Sequence, residues 1–94
     1  MYPRILKKLR DYIRENRYVV SVHADEEMDE DDLSIFDVER TILTGEIVER
    51  QKDKETGEWK YIVKGNSIDD RRVAVVTKFG PTGKAFIITV FEDE

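Results

Sequence analysis

The sequence predicts an α+β domain in which N-terminal helices pack on an antiparallel sheet of about four to five strands. Apolar residues recur at helical spacing up to Gly45, whereas the chain beyond Gly45 is rich in β-branched and aromatic residues that alternate with polar ones. The length of 94 residues allows one domain. We therefore assign residues 1–94 to a single domain.

An amphipathic helix and a short strand are predicted first. Pro3 suits the first turn of a helix, and an apolar stripe through Leu9 and Ile13 ends near Asn16. The other face of this helix is basic, and we interpret it as a solvated face rather than a nucleic-acid contact. Residues 18–22 are β-branched and aromatic, and they predict the first strand.

The acidic segment, Asp25–Asp32, carries seven carboxylates in eight positions. Ala24 and Met28 are spaced as i and i+4, which predicts a short helix with these two residues on its buried side. The segment lacks the alternating ligands and the glycine of an EF-hand, so no metal site is expected. Its charge density favours a surface that faces a basic partner.

The next helix has the clearest signals. Ser34 is the expected N-cap, Asp37 completes a capping box, and Leu33 is spaced to pack on Val38. Gly45 is the expected C-cap. The predicted inner face of this helix consists of Ile35, Val38, Ile42 and Leu43.

Two β-hairpins follow, with turns at Lys54–Gly57 and Gly80–Gly83. The predicted strands are residues 46–52, 58–65, 71–79 and 84–91. The last two strands are apolar on both faces, which predicts central strands covered by helices.

Composition and charge exclude several classes of function. Without cysteine there is no disulfide or thiolate nucleophile, and a single histidine rules out a His-rich metal site. The net charge is −5, but the charges are unevenly distributed. Residues 1–18 carry six basic and two acidic residues, whereas residues 19–50 carry two basic and eleven acidic residues. No Walker loop, G-x-G-x-x-G, H-E-x-x-H or G-x-S-x-G motif occurs. No apolar run is long enough for a membrane span and no signal peptide is visible, so we expect a soluble cytoplasmic protein.

His23 and the basic residues of the strands are the candidate functional residues. Histidine is the residue type best suited to proton transfer near neutral pH, so His23 serves either in proton transfer or in a structural hydrogen bond at the strand-to-helix junction. Cations on one sheet face suit a phosphodiester and its pentavalent transition state. Tyr61 either stacks on a base or is a buried cross-strand aromatic residue. The strand cations are Arg50, Lys60, Lys64, Arg71, Arg72 and Lys78.

Several short motifs, taken in order, resemble the family of domain of unknown function 4258 over about residues 18–91. They are His23–Met28, Leu33-Ser34, Asp37–Glu39, Thr44–Glu49, Gly65, Val75-Val76 and Ile87–Phe91. This chain has Glu27 where the family pattern has an arginine, and it lacks a glycine that the pattern has near Asp32.

The resemblance implies a relative of the RelE/ParE and BrnT-like toxin superfamily, with a RelE-like fold. It further implies a type II toxin that cleaves mRNA without a metal or cofactor, paired with a small antitoxin such as one of the YgiT-type zinc-finger class. A base would take the 2′-hydroxyl proton and cations would stabilise the phosphorane, which leaves a cyclic phosphate. We assign His23, Arg71 and Lys78 to catalysis and Arg50, Lys60 and Tyr61 to RNA binding.

The alternative is a non-enzymatic binding module that has lost its catalytic set. In that case the sheet and the acidic segment serve a protein partner or a homodimer. Glu27 and the low isoelectric point of about 5.0 favour this alternative.

Overall fold

The structure is a computed structural model that describes residues 2–93, and it confirms the α+β class. Its elements are α1 (Pro3–Arg14), β1 (Tyr18–Val20), α2 (Val22–Glu30), α3 (Ile35–Thr44), β2 (Glu46–Lys52), β3 (Trp59–Asn66), β4 (Arg72–Phe79) and β5 (Ala85–Glu92). The strands form one sheet in the order β1-β5-β4-β3-β2. Because β1 pairs in parallel with β5, the sheet is mixed, and the prediction of an antiparallel sheet is wrong at this edge. Between residues 2 and 93, no helix is long and apolar enough to cross a membrane.

The hydrophobic core lies between the helices and one face of the sheet. Ile42 of α3 is 0% exposed and belongs to the same buried cluster as Val63 of β3 and Val75 of β4. The predicted inner face of α3 is confirmed, since Val38 is also buried and both Ile35 and Leu43 pack against the cluster. Burial of such side chains supplies most of the driving force for folding.

The capping box at the start of α3 is confirmed. The Ser34 amide donates to Asp37 Oδ2 at 2.8 Å, and the Asp37 amide donates to Ser34 Oγ at 3.4 Å. Asp37 Oδ1 also accepts from the amide of Ile68 at 2.9 Å, which ties the loop between β3 and β4 to α3. Burial alone would raise the pKa of Asp37, but the hydrogen bonds from Ser34 and Ile68 hold it below its ordinary value.

We expect Asp37→Asn to lower the free energy of unfolding by about 1 kcal/mol at pH 7. The pKa of Asp37 is lower in the folded than in the unfolded chain. Asp37 therefore stabilises the fold fully at a pH above its pKa in the unfolded chain, and this stabilisation is lost as the pH falls through its pKa in the folded chain. Urea unfolding at pH 7 and at pH 3 measures this dependence. Asp29→Asn, at an exposed position of α2, is the control and should change stability little. If Asp37→Asn lowered the free energy of unfolding by the same amount at pH 7 and at pH 3, a lowered pKa of Asp37 in the folded chain would be contradicted.

The sheet has a helix face, which packs on the helices, and an open face on the opposite side. On β3, Tyr61 and Val63 belong to the helix face, whereas the alternating Ile62 and Lys64 lie on the open face. The expectation that helices cover both faces of β4 and β5 is wrong, because the open-face side chains of Val76 and Phe86 are only half-buried. The open face is therefore available to a ligand.

Helix α2 runs along the outer edge of β5, beyond the end of β1. The predicted first strand stops at Val20, two residues early, because Ser21 becomes the N-cap of α2 and accepts from the amide of Ala24 at 3.0 Å. Glu27 Oε1 accepts from the amide of Val90 at 3.1 Å. One turn later, Asp31 Oδ2 accepts from the amide of Glu92 at 3.0 Å. The hydrogen bonds of this strand edge are thus made with side chains of α2.

The end of α3 comes against the backbone of β3 at Gly45. A Cβ at Gly45 would overlap with the carbonyl oxygens of Lys64 and Thr41. Gly45 has a φ of −89°, so close approach rather than a left-handed backbone requires a glycine here. Arg10 of α1 donates from Nη2 to the Gly45 carbonyl at 2.8 Å and from Nε to the Ile42 carbonyl at 3.1 Å. These bonds satisfy the free carbonyls at the helix end.

Candidate functional site

An apolar cavity of about 510 Å³ lies on the open face beside the hairpin of β4 and β5. Lys78 and Phe86 face each other across the two strands, because the bond from the Gly80 amide to the Lys84 carbonyl sets the hairpin register. Lys78 Nζ lies 3.2 Å from Glu58 Oε1. The cavity is lined by Ser21, Glu58, Lys78, Pro81, Phe86 and Ile88, among others.

His23 lies in the first turn of α2, two residues beyond the cavity-lining Ser21. Its side chain is 67% exposed, and its Nε2 lies 3.2 Å from Glu27 Oε1. The same Glu27 oxygen accepts the Val90 amide, so the carboxylate is anchored to the sheet. A neutral histidine that carries its proton on Nε2 has Nδ1 as a proton acceptor.

The His23–Glu27 pair and the cavity offer three kinds of chemical group. His23 offers a ring nitrogen that accepts a proton, and Glu27 restrains its orientation. Lys78 offers a cation, and Phe86 gives the cavity an aromatic wall. Of the residues predicted for the site, Lys78 lines the cavity together with Ser21, and His23 follows Ser21 by two residues without lining the cavity itself.

The Arg71 side chain is bonded to the loop that follows α2. Its guanidinium donates from Nη1 to the Asp31 carbonyl and from Nη2 to the Asp32 carbonyl, both at 2.7 Å, and its Nε lies 3.0 Å from Asp69 Oδ2. The hydrogen bond with Asp69 makes the largest contribution to the raised pKa of Arg71. Arg71 thus holds the loop after α2, at the opposite end of that helix from His23.

Arg50 and Tyr61 lie on the helix face, away from Lys78. Tyr61 is only 8% exposed and its ring centroid is 5.9 Å from that of Phe79, so no base can stack on it. Arg50 is opposite Tyr61 in the sheet, and its guanidinium lies 4.3 Å from the centre of the Trp59 ring. The alternative that Tyr61 is a buried cross-strand aromatic residue is confirmed.

Lys60 lies on the open face together with Lys78. Its Nζ is 3.8 Å from Asp53 Oδ2. The pKa of Asp53 is lowered first by the amide of Glu55 and then by that of Thr56, so this carboxylate stays ionised beside Lys60. Lys60 can reach a phosphate on the open face only in competition with Asp53.

The acidic segment divides into two groups of carboxylates. Glu27 and Asp31 bond to β5, which corrects the expectation that the whole segment faces a partner. The other carboxylates are exposed, namely Asp25, Glu26, Asp29, Glu30 and Asp32. Within the described residues, no three His, Asp or Glu side chains form a group that could hold a metal ion.

Sequence reasoning missed three residues of this site. Glu27 stands four residues after His23, the spacing at which helical side chains meet, so its pairing with the imidazole was recognisable. Phe86 was missed because counting outward from the predicted turn at residues 80–83 pairs Lys78 with Ala85, whereas the bond from the Gly80 amide to the Lys84 carbonyl makes Phe86 its partner. Glu58 had no such signal, because its contact with Lys78 depends on how the two hairpins pair.

Comparison with known proteins identifies one family. No curated protein and no solved structure matches this chain. One family model, described as "Domain of unknown function (DUF4258)", matches residues 20–92, which run from the end of β1 to the end of β5 and leave α1 outside. The chain belongs to the DUF4258 family.

Proposed function

We propose that this chain is the toxin of a type II toxin–antitoxin pair, a cytoplasmic RelE-like endoribonuclease that cleaves mRNA without a metal. The contact between His23 and Glu27, in the helix that begins directly after the cavity-lining Ser21, is the observation that carries the proposal. The resemblance to toxins of the RelE/ParE superfamily supports the same reaction class. Arg71, Arg50 and Tyr61 have no part in it, for the reasons given above.

In the proposed reaction, His23 Nδ1 takes the proton of a ribose 2′-hydroxyl, and the 2′ oxygen attacks the adjacent phosphorus. The bond from phosphorus to the 5′ oxygen breaks, and that oxygen leaves with a proton from water. The products are a 2′,3′-cyclic phosphate and a 5′-hydroxyl. Glu27 stabilises the imidazolium that forms, because its carboxylate is already 3.2 Å from Nε2.

Lys78 and the cavity bind the substrate in this proposal. The Lys78 ammonium has three N–H donors, so contact with Glu58 leaves donors for a phosphate oxygen. The negative charge that develops on the pentavalent phosphorus strengthens this contact in the transition state. Phe86 takes the stacking role predicted for Tyr61, since its half-buried ring lines the cavity.

We expect His23→Ala to lower the rate of RNA cleavage about a hundredfold or more, the usual effect of losing a general base. Glu27→Gln keeps an oxygen acceptor for the Val90 amide but loses the charge, so we expect a smaller loss and an altered pH–rate profile. The assay uses the purified chain, labelled RNA and EDTA. Product ends are identified by their susceptibility to phosphatase and kinase.

Asp25→Asn is the matched control, because Asp25 is exposed on the same helix. It should leave cleavage unchanged, and thermal melting should give similar midpoints for parent and variants. A folded His23→Ala protein that cleaves RNA as fast as the parent would remove His23 from the mechanism.

The second candidate function is a non-enzymatic module that binds a protein partner or forms a homodimer. It is favoured by two exposed apolar side chains, Phe36 and Ile68, each 63% exposed, in segments joined by the bond from Ile68 to Asp37. In either function the exposed carboxylates of the acidic segment suit a basic segment of a small antitoxin, such as one of the YgiT-type zinc-finger class. An inactive parent chain that binds such a partner would favour the module over the nuclease.

A further inference from the structure

A second, polar cleft lies at the end of the sheet where α3 meets β2, β3 and β4. Its volume is about 370 Å³, and its lining includes Arg40 and Thr44 of α3, Glu46 of β2, Lys64 and Asn66 of β3, and Arg72 of β4. Three of these residues are cations and one is an acid, in a chain whose net charge is −5. The cleft therefore concentrates positive charge on an acidic protein.

Two glycines bring these cations together. A Cβ at Gly65 would lie 2.8 Å from the Thr41 carbonyl oxygen and 3.0 Å from the Cα of Gly45. The backbones of α3 and β3 are in contact at this point, so the last turn of the helix is held against the strand. Arg40 on the helix and Arg72 on the sheet consequently open onto the same cleft.

The two arginines have free donors, whereas Lys64 is paired. Lys64 Nζ lies 3.0 Å from Asp93 Oδ2. Arg72 makes one long bond, from Nη1 to Asn66 Oδ1 at 3.4 Å, and the Arg40 guanidinium has no partner among residues 2–93. Guanidinium groups form paired hydrogen bonds with phosphate oxygens, which makes a phosphate the fitting anion.

The remaining lining residues are acceptors that suit hydroxyl groups. The Thr44 hydroxyl donates to the Arg40 carbonyl at 2.7 Å, so its oxygen can only accept from a ligand. Glu46 adds a carboxylate acceptor. Among residues 2–93, no aromatic side chain lines this cleft, so these residues offer a base no surface on which to stack.

We propose that this cleft binds a small sugar phosphate, with Arg40 and Arg72 on the phosphate and Thr44 and Glu46 on hydroxyl groups. The volume, at the lower end of the range of about 300–1,000 Å³ for ligand sites, fits a ligand of this size. The proposal is independent of RNA cleavage, because none of these residues lies in the His23 region.

The test is titration of the ¹⁵N-labelled full chain with ribose 5-phosphate, with ribose and with inorganic phosphate, followed by NMR. We expect ribose 5-phosphate to shift the amide signals of Gly45 and Gly65, and to bind more tightly than phosphate or ribose alone. The glycines of the two turns, Gly57 and Gly83, should not shift. The double variant Arg40→Gln/Arg72→Gln should raise Kd about tenfold or more.

Arg4→Gln, an exposed position on α1, is the control for loss of charge and should bind as the parent does. Equal binding by parent and double variant, or shifts confined to other residues, would overturn the proposal. So would a dependence on Arg40 and Arg72 that is seen with an RNA oligonucleotide but not with ribose 5-phosphate. Because His23→Ala should leave these shifts unchanged, failure of one proposal is distinguishable from failure of the other.

Discussion

Ile42→Asp is expected to lower the free energy of unfolding by about 4 kcal/mol or more. Ile42 is 0% exposed, and the substitution places a carboxylate among apolar side chains without a hydrogen-bond partner. Typical domains of this size have a total stability of about 5–15 kcal/mol, so the loss takes a large share of it. Urea unfolding followed by circular dichroism measures the change.

Phe36→Asp on the same helix is the matched control, because Phe36 is 63% exposed. The same charge at this position should change stability by about 0.5 kcal/mol or less. If Ile42→Asp unfolded at the same urea concentration as the parent, the packing of α3 on the sheet would be refuted.

Gly45→Ala is expected to lower the free energy of unfolding by about 3 kcal/mol. The new Cβ would overlap with the carbonyl oxygens of Lys64 and Thr41, and both are backbone atoms that cannot move aside without shifting β3 or α3. The variant should also disturb the bonds from Arg10 to the Ile42 and Gly45 carbonyls. Differential scanning calorimetry provides the measurement.

Gly57→Ala separates crowding from backbone strain. Gly57 has a φ of 73° and nothing within 4 Å of the position of a Cβ, so alanine there meets only the strain of a left-handed backbone, about 1 kcal/mol. Gly45→Ala should therefore be clearly the less stable of the two variants. A Gly45→Ala protein as stable as Gly57→Ala would contradict the backbone contact.

Local signals predicted most of the secondary structure. The capping box of Ser34 and Asp37 defines the start of α3, and the turn at residues 80–83 sets the β4–β5 hairpin. Both signals lie within a few residues, where sequence spacing translates directly into geometry. The end of β1 was missed because Ser21 caps a helix, although Ser21-Val22 continues the β-branched pattern.

The position of β1 could not be predicted from local pattern. It pairs with β5, and Tyr18 lies opposite Ala85 in that parallel pairing. The Tyr18 hydroxyl also donates to Glu39 Oε2 at 2.6 Å, which ties β1 to α3. Burial is the largest cause, and this hydrogen bond the second cause, of the rise in the pKa of Tyr18 to about 12. Contacts between residues so far apart in sequence leave no trace in the periodicity of either segment.

The candidate site was predictable in its residue types but not in its grouping. His23 lies at a strand-to-helix junction as predicted, but which cations share its region depends on sheet register and on side-chain partners. Arg71 looks like any strand cation in the sequence, yet its guanidinium bonds to the carbonyls of Asp31 and Asp32. A basic residue at a strand end is as suited to holding a loop as to binding a phosphate.

The bonds from Glu27 and Asp31 to β5 also bear on solubility. A strand edge with free amides is a template on which another chain can add a strand, and such edge-to-edge pairing leads to aggregation. The Val90 and Glu92 amides are already bonded to carboxylates, and the nearby exposed acids repel a second acidic copy. The acidic segment thus protects the chain against self-association at the edge that β1, with three residues, is too short to cover.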